Sequence, residues 1–573
     1  MKRFTWITSE APSDSFIHSV PELPRLVATF LWQRGFQTEA AVSAWLDLDY
    51  HRDLGDPWRY AAMKTAVDRI MTAIEDQQPV TVYGDYDVDG LSATAIMVES
   101  LQALGGQVDW YIPERLGEGY GLNVAAIESL AAAGTKLLIT VDLGSTNVAE
   151  IQRAKELGME TIVIDHHHQP DHVPEAAAII NPVFTDSGYP FPHQCSTAVA
   201  FTVVRALLQA TDDGKKLHRP LPPGWEKWLL DLVGLATVAD MMPLRGENRL
   251  FVKFGLLVLR KTRRPGLRAL VEVMGGELAE VDEYSIGFQL APRINAAGRL
   301  NRPHVALKLL LTTNRQEARL LAAELQAINQ DRQKLTELAV AEAFEQIQTQ
   351  ADQQAYVAFA PHWAPGIIGL VAGRLAERYW RPVLVMTEHR QSIIGSGRSI
   401  PGIDIMHIFD QQPEHFQRFG GHPGACGFTL VSVAARENFS AWFLAQVRLT
   451  LPAVTSTKPL QIDGRANIDD FTAETIDGLA ACGPFGQDYG RPKFLLSDLV
   501  LTSIKAAGAD GQHLRLTVRQ RDAAAKLIGF RLGALAADLA IGQRIEAVVE
   551  ASWNTWNGRR EVQLKMIDLD LQP

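Results

Sequence analysis

Three aspartates, Asp85, Asp87 and Asp89, stand at alternate positions in the segment VYGDYDVDG at residues 82–90. Carboxylates packed this closely repel one another, whereas a divalent cation reverses the sign of the local field and makes the cluster favourable. The apolar residues before them are typical of a strand and those after them of a helix, a junction where α/β folds bind ligands. The segment therefore predicts a metal site, with an acidic turn or a helix cap as the alternative.

Three further groups of acidic or imidazole side chains follow apolar runs. They are Asp142 after residues 136–141, Asp165-His166-His167-His168 after residues 161–164, and Asp240 after the run Leu232–Val238. Apolar runs of this length, separated by helical segments, predict parallel strands of a doubly wound sheet, whose carboxyl ends share one edge. Because carboxylates and neutral imidazoles suit Mn²⁺ or Mg²⁺, we expect a site for these cations at that edge.

These four clusters resemble the signature motifs of the DHH phosphoesterase superfamily, which here read GDYDVDG, VDLGS, IDHHH and ATVADMMPL. Three downstream segments, APRINAAGRL, GSGRS and GGHPGACGF, are similar to those of its bacterial single-strand-specific 5′ exonucleases. The motifs cover residues 80–430 in the expected order. The resemblance implies a metal-dependent hydrolase that degrades single-stranded DNA from a free 5′ end to mononucleotides, in DNA repair and recombination.

The resemblance also implies two bound ions, Mn²⁺ or Mg²⁺. Its ligand positions match Asp85, Asp87, Asp89, Asp142, His166 and Asp240. Asp142 is expected to bridge the ions, Asp165 to orient His166, and His167 to face the scissile phosphate. Tyr83 stands where many members of the superfamily have His, and a phenol is a poorer ligand, so the second ion is expected to have a weaker ligand set.

Residues suited to binding the DNA backbone stand in four other segments. They are Arg115, the group Arg293, Asn295 and Arg299, the pair Ser396 and Arg398 in a glycine-rich turn, and His422 in a glycine-rich loop. Arginine suits phosphate through its planar fork of donors. The alternatives are a helix cap with structural ion pairs and a turn histidine. By resemblance, Arg115, Ser396 and Arg398 would receive the 5′-phosphate.

The order of patterns predicts an α/β protein of several domains. The predicted boundaries are residues 1–75 for an N-terminal helical segment, 76–313 for a parallel-sheet DHH domain, 314–350 for a connecting helix, 351–452 for an α/β domain resembling DHHA1, and 453–573 for an oligonucleotide-binding (OB) barrel. The helix follows from a stretch of good helix formers without Gly or Pro. The barrel follows from five short strand patterns separated by turn signals, including Asn557-Gly558.

Composition bounds the function less tightly. The net charge of −11 argues against a nucleic-acid partner, yet residues 245–268 carry eight basic residues against one acidic one. That run indicates either a basic binding surface or a solvated helix face. Candidates for stacking on bases, each equally well placed in a core, are Tyr120, Phe359, Trp363, Trp553 and Trp556.

The sequence also suggests where the protein works and with what. No apolar run has the length of a membrane span, and three scattered cysteines form no metal or disulfide framework. We expect a cytoplasmic monomer that binds single-stranded DNA and no membrane, with single-strand-binding protein and a helicase as possible partners.

Two other functions compete with the exonuclease. One is a DHH phosphoesterase for small substrates such as pyrophosphate, cyclic dinucleotides or short RNA, and the other is a non-catalytic DNA-binding scaffold. The C-terminal strand-rich region argues against the first. The retained acidic and histidine positions argue against the second.

Overall fold

The computed structural model describes residues 2–115, 117–119, 121–212, 221–350, 353–450, 457–508, 510–556 and 559–571. Its contacts divide the chain into two compact units, one of residues 54–454 and one that combines residues 1–53 with residues 455–573. None of the helices in these ranges has both the length and the apolar character that crossing a membrane requires.

The elements follow one another in four segments. The first contains β1 (Phe4–Thr8), α1 (Asp14–Ser19), α2 (Arg25–Gln33), α3 (Glu39–Leu46) and α4 (Tyr50–Asp53). The second contains α5 (Met63–Glu75), β2 (Pro79–Gly84), α6 (Val88–Ala103), β3 (Gln107–Tyr111), α7 (Val124–Ala132), β4 (Leu137–Val141), α8 (Val148–Glu156), β5 (Glu160–Ile164), β6 (Ala178–Ile180), α9 (Ser196–Asp212), α10 (Leu230–Ala239), α11 (Gly246–Leu259), α12 (Pro265–Val273), α13 (Glu283–Ser285), a π-helical segment (Ile286–Leu290), α14 (Ala291–Arg299) and α15 (Pro303–Leu311). The third contains α16 (Arg315–Gln348), β7 (Tyr356–Phe359), α17 (Ile368–Tyr379), β8 (Val383–His389), β9 (Ser392–Arg398), α18 (Ile405–Phe409), β10 (Phe416–His422), β11 (Ala425–Leu430) and α19 (Arg436–Thr450). The fourth contains β12 (Lys458–Ile462), β13 (Gly464–Ala466), α20 (Ala473–Ala481), β14 (Phe494–Ala507), β15 (His513–Gln520), β16 (Ala523–Gly529), β17 (Arg544–Trp556) and β18 (Arg559–Leu571).

A five-stranded parallel sheet in the order β3-β2-β4-β5-β6 is the centre of the first unit. On one of its faces, Tyr83 packs with side chains of α7 and α8. Alternate residues such as Val82 and Ile139 point the other way and are also fully buried, as expected for a sheet covered on both faces. The register pairs Gly84 with Val141 and Val141 with Ile164. The residues that follow these three strands therefore emerge side by side at one edge.

The run Leu232–Val238 is not a strand, and this part of the sequence prediction is wrong. It lies in α10, and Asp240 is the C-cap of that helix. Residues 232–237 of the run are buried, and Gly234 approaches Gly255 of α11 so closely that a Cβ would lie 2.9 Å from the Gly255 Cα. A short, wholly buried apolar run carries no periodicity that separates a helix from a strand.

The 34-residue helix α16 and a second sheet complete this unit. The sheet has the order β10-β11-β9-β8-β7, with β7 and β8 parallel and the other neighbours antiparallel. The predicted long helix is confirmed, and the second sheet with its helices confirms the predicted α/β character of the domain that follows it. Ser396 and Arg398 lie within strand β9 rather than in the predicted turn, so their backbone is committed to the sheet.

In the second unit, strands β14, β15, β16, β18 and β17 pair in sequence, and β17 pairs back to β14. This closed ring confirms the predicted five-stranded barrel. The N-terminal residues differ from the helical prediction, because β1 is a strand that pairs in parallel with β12. The alternation in FTWIT is too short to stand out without its partner. Asn557-Gly558, predicted as a hairpin turn, lies outside the described residues.

Candidate metal and nucleic-acid site

The shared edge of β2, β4 and β5 brings the predicted metal ligands together. Among the described residues, three groups of side chains each bring their ligand atoms within 4.8 Å of one another. The groups are Asp85, Asp87 and Asp142; Asp89, His166 and Asp240; and Asp142, His166 and His167. His166 Nε2 lies 3.4 Å from an Asp142 oxygen and 3.6 Å from an Asp240 oxygen. Asp142 and His166 each belong to two groups, so they stand where neighbouring cation positions would meet.

The carboxylates of this cluster are buried without enough positive charge to balance them. Burial, and then repulsion from neighbouring aspartates, raises the pKa of Asp85, Asp142 and Asp240 well above the ordinary value. Among the described residues, one oxygen of Asp85 and one of Asp240 are buried with no hydrogen-bond partner. Burial lowers the pKa of His166, which favours the neutral imidazole that binds metals. This donor set fits Mn²⁺ or Mg²⁺.

Two helix N-termini bind Asp87 and Asp89 of the first motif. Asp87 is the N-cap of α6 and accepts the backbone N–H groups of Asp89 and Gly90. Asp89 accepts the backbone N–H groups of Ser196 at 2.7 Å and Thr197 at 2.8 Å, where α9 begins. The exposed N–H groups of a helix start stabilise a carboxylate there. Asp89 is thereby fixed between two elements that are more than a hundred residues apart in sequence.

Ser196 and Thr197 are site residues that the sequence reasoning missed. The Ser196 hydroxyl donates to Asp142 at 3.0 Å, and the Thr197 hydroxyl donates to the Asp89 carbonyl at 2.8 Å. A Ser-Thr pair just before a long apolar helical run is a recognisable helix start. Only the fold shows that this start faces the acidic cluster.

Asp142 also has an unusual backbone. Its φ of +64° lies in the left-handed region, which is costly for a residue with a Cβ. Its N–H donates to the Ile164 carbonyl at 3.0 Å, which continues the strand pairing beyond β4. This strained backbone falls at a residue that two ligand groups share, and strain of this kind is common at functional positions.

Asp165 orients His167 rather than His166, and the expectation for this pair is corrected. One Asp165 oxygen lies 2.7 Å from His167 Nδ1 and also accepts the His166 backbone N–H. Burial lowers the pKa of His167, but the Asp165 hydrogen bond and nearby carboxylates outweigh burial and raise it to about 8. Burial likewise opposes ionisation of Asp165, yet the bond from His167 leaves its pKa below the usual range. Ser145 and Asn181, both missed from sequence, complete this network at Asp165 and the His167 carbonyl.

Tyr83 is not part of the acidic cluster. Its ring is fully buried in the apolar cluster on the face of the sheet that α7 and α8 cover, beside Tyr111. Its hydroxyl accepts from Asn123 at 3.2 Å. Burial raises its pKa far above that of an ordinary phenol, so it stays neutral. Tyr83 is thus a packing residue here.

Arginines from three elements lie near the acidic cluster and near one another. Burial lowers the pKa of Arg299 to about 10, and the charges of Arg115, Arg332 and Arg398 act in the same direction. The Arg115 guanidinium lies 5.2 Å from the ring centroid of Tyr86, which is a residue of the first acidic motif. Cations held together in a part-buried position provide a site for an anion.

The RINAAGR residues divide into different roles. Asn295 accepts the backbone N–H of Val88 on its Oδ1 at 3.0 Å, so this side chain positions the first acidic motif. Arg293 donates to the Gln326 side chain at 2.7 Å and to the Gln289 carbonyl at 2.8 Å, and both acceptors are neutral. Arg299 donates to the Gly366 carbonyl at 3.3 Å, where α14 meets the second sheet's domain.

The second sheet contributes the remaining predicted residues. Arg398 Nη1 donates to the Ser396 hydroxyl at 3.1 Å, and Ser396 donates to the Cys426 carbonyl at 3.1 Å. The His422 ring, at the end of β10, lies 5.1 Å from the His168 ring centroid. The structure thus brings His422 to the histidine motif, and it brings Arg398 close enough to Arg299 for their charges to interact.

The predicted aromatic and basic surfaces are only partly available to a ligand. Trp363 is buried and donates to Glu342. Trp553 donates to Asp477 under the guanidinium of Arg560. Phe359 is half-buried against Arg436. Tyr120 and the side chain of Trp556 lie outside the described part of the chain. In the basic run 245–268, Arg249 is fully buried and Arg264 is ion-paired with Asp231 and Glu99, so these two are structural.

Comparisons with known proteins define the class first. Models of three families match the chain: the DHH family N-terminal domain at residues 79–237, the DHHA1 domain at residues 352–448 and the RecJ OB domain at residues 462–568. With the acidic cluster described above, this combination defines a DHH-type phosphoesterase that carries a DHHA1 domain and an OB barrel.

Similar proteins then specify the family. The chain is 36% identical to the single-stranded-DNA-specific exonuclease RecJ of Bacillus subtilis over 569 residues, which are 98% of this chain and 70% of that protein. It is 34% identical to the Escherichia coli protein of the same name, covering 76% and 78% of the two chains. The crystal structure of Thermus thermophilus RecJ in complex with Mn²⁺ matches with a TM-score of 0.84 at 28% identity, over 100% of this chain and 80% of that one. The chain belongs to the RecJ family.

Proposed function

We propose that this protein is a metal-dependent exonuclease that hydrolyses single-stranded DNA from its 5′ end and releases mononucleotides, in DNA repair and recombination. The observation that carries the proposal is a buried cluster of carboxylates and imidazoles in which negative charge is in excess. A group of arginines lies directly beside this cluster. Such an arrangement suits two cations and a phosphodiester at the same place. The names of the similar proteins and the Mn²⁺ and Mg²⁺ complexes of RecJ support it.

Two ions are proposed to bind at this edge, one held by Asp85 and Asp87 and the other by Asp89, His166 and Asp240, with Asp142 between them. When bound, such ions supply a hydroxide nucleophile at neutral pH and offset the charge on the phosphate and the leaving oxygen. His167, held by Asp165 and with its pKa raised to about 8, can donate a hydrogen bond to a phosphate oxygen at neutral pH.

The 5′ polarity is proposed to come from Arg115, Ser396 and Arg398. A terminal phosphate carries more charge than an internal one and presents more acceptor oxygens to an arginine fork. A pocket of this kind would favour a phosphorylated 5′ end and set it at a fixed distance from the acidic cluster. Each hydrolysis would then remove one nucleotide.

The two competing functions have less support. A small-substrate phosphoesterase has no use for the closed barrel of β14–β18. A non-catalytic scaffold does not need to bury carboxylates whose mutual repulsion destabilises the protein. The monomeric state, the cytoplasmic location and the association with single-strand-binding protein or a helicase remain predictions. Measurement of the molecular mass in solution would test the first, and co-purification would test the association.

Digestion of strands labelled at either end tests the proposed function. The purified protein with Mn²⁺ or Mg²⁺ is expected to release the 5′ label first, as a mononucleotide, to prefer a 5′-phosphate over a 5′-hydroxyl, and to leave a blunt duplex intact. Release of the 3′ label first would contradict the polarity. Hydrolysis of dinucleotides but not of long strands would favour the small-substrate phosphoesterase.

A further inference from the structure

An exposed pair of aromatic rings lies on the helical rod that leads into the acidic cluster. The rod consists of α13, the π-helical segment and α14, and Ile286, Leu290 and Ile294 on its inner face are fully buried. Tyr284 is 56% exposed and Phe288 is 70% exposed. Their rings are stacked, with centroids 4.7 Å apart and planes inclined by 27°. Isolated exposed apolar residues are ordinary, but two large rings that stack on each other form a patch.

The rod connects this pair to the acidic cluster. Gly287, next to Phe288, packs against Val238, since a Cβ there would lie 3.7 Å from Val238 Cγ1. Val238 precedes Asp240 by two residues. Further along the rod, Asn295 holds the backbone of Val88 in the first acidic motif. At about 1.5 Å per residue, Phe288 lies roughly 10 Å along the rod from Asn295, a distance that one or two nucleotides of an unstacked strand can cover.

Arg293 is a cation on the same rod, five residues after Phe288. Its guanidinium reaches back along the rod to the Gln289 carbonyl, at 2.8 Å, which places it beside residue 288. Both of its hydrogen bonds within the described ranges go to neutral acceptors, so its charge is available to an anion. An arginine next to exposed rings matches a nucleotide, which presents a phosphate and a flat apolar base close together.

The π-helical segment is what presents the rings in this way. The Ala291 N–H donates to the Ile286 carbonyl, a bond over five residues instead of four. π turns are rare in proteins and occur frequently at functional sites. The segment keeps Ile286 and Leu290 in the core, while Phe288 between them is exposed and Arg293, in the following turn, is partly exposed.

We propose that Tyr284 and Phe288 are a stacking platform for bases of the single strand behind its 5′ end, with Arg293 on the adjoining phosphate. This inference rests on the proposed exonuclease function. Stacking on an aromatic ring accepts any base, because every base has a π-face. The platform would therefore hold DNA without sequence preference, and a duplex, with its bases already paired and stacked, would not gain from it.

Binding of strands with missing bases tests the platform. Fluorescence anisotropy with EDTA present, so that nothing is cleaved, gives Kd for a 5′-phosphorylated strand and for strands carrying a short abasic window at successive distances from the 5′ end. For the wild-type protein, one window position is expected to weaken binding roughly 5- to 150-fold, the range measured for loss of stacking on one base. The Tyr284→Ala/Phe288→Ala double variant should bind the intact strand as weakly as the wild type binds that abasic strand, with no further loss on the abasic strand itself.

Two more variants separate stacking from other effects. Phe288→Trp keeps a ring and is expected to retain the difference between intact and abasic strands. Leu320→Ala removes another side chain that is 69% exposed, on α16, and is expected to leave every Kd unchanged. A double variant that keeps the wild-type difference would overturn the platform and favour a protein partner on this patch. A wild-type protein that neither binds nor cleaves single strands would instead refute the proposed function.

Discussion

Asp142 is the residue at which the two proposed ion positions meet, and its environment makes it costly in the metal-free protein. It is buried, its pKa is raised by burial and by Asp89 and Asp87, and its backbone is left-handed. Selection for stability alone would not retain a charged residue in this position. Function therefore explains the residue better than folding does.

We expect Asp142→Asn to lower activity and raise stability at the same time. Loss of a shared ligand should cost several kcal/mol of transition-state stabilisation, or roughly a hundred- to a thousandfold in rate. Removal of one of several repelling charges should raise the melting temperature without metal. Single-turnover cleavage and thermal unfolding in EDTA measure the two effects. Asp186→Asn, an exposed position, is the matched control. An Asp142→Asn protein with near-native cleavage would exclude Asp142 as a shared ligand.

Arg398→Ala should act mainly on the terminal phosphate. Charge-assisted hydrogen bonds contribute about 1.5–3 kcal/mol, so we expect roughly a 10- to 150-fold loss of kcat/KM on a 5′-phosphorylated strand and a much smaller loss on a 5′-hydroxyl strand. Arg390→Ala changes an exposed arginine in the turn of the same β8–β9 hairpin and serves as the control. An equal loss on both strands would remove Arg398 from the proposed pocket.

At the scale of elements, α14 is held against the first acidic motif by close approach of the two backbones. The Tyr86 carbonyl oxygen occupies the space next to Gly298 of α14, because a Cβ on this glycine would lie 2.6 Å from that oxygen. The approach is closer still at Gly366, just before α17, where a Cβ would lie 2.0 Å from the Arg299 carbonyl oxygen. These contacts determine how near the arginines come to the carboxylates.

Gly298→Ala and Gly373→Ala should therefore have opposite effects, although both replace a helical glycine. Alanine favours a helix by about 1 kcal/mol, and at Gly373 the nearest atom to a Cβ would be Arg398 Cγ at 4.0 Å, an ordinary contact. Gly373→Ala is expected to be neutral or stabilising. Gly298→Ala is expected to lower the melting temperature and displace the acidic motif, which reduces cleavage. Equal melting temperatures for the two variants would show that α14 moves away without cost.

At the scale of the whole molecule, cation binding should stabilise the fold, and more strongly at higher pH. The pKa values of Asp85, Asp142 and Asp240 are raised in the metal-free protein. Folding therefore binds protons at these groups, and the stability present below the ordinary carboxyl pKa is lost as pH rises through the raised values. A bound cation removes the repulsion, so its effect grows as these groups ionise.

Thermal unfolding with EDTA or with Mn²⁺ at several pH values measures this dependence. At a Mn²⁺ concentration a hundredfold above its Kd at pH 8 the gain is about 2.7 kcal/mol, and at that same concentration it should shrink as pH falls from about 8 to about 5. The Asp142→Asn protein should show a smaller gain at every pH. A gain that is largest at low pH would contradict the charge balance described for the site.

The sequence by itself determined the chemistry of the site and the type of most elements. The spacing of Asp85, Asp87 and Asp89 after an apolar run indicated a strand end and a cation site, because that pattern has few other physical explanations. The composition of α16 and the alternating pattern of the barrel strands are local properties. Because these properties are local, the helix and the strands could be predicted without knowledge of the tertiary structure.

Only the tertiary structure decided how distant segments meet. Leu232–Val238 is a helix, which a short buried apolar run does not distinguish from a strand, and β1 is a strand because β12 supplies its partner. Ser196, Thr197 and Asn181 lie at the site because the start of α9 and the end of β6 pack there. Tyr83 lies away from it because its side chain is on the face of the sheet that α7 and α8 cover. These outcomes depend on contacts between residues far apart in the chain, which local patterns do not contain.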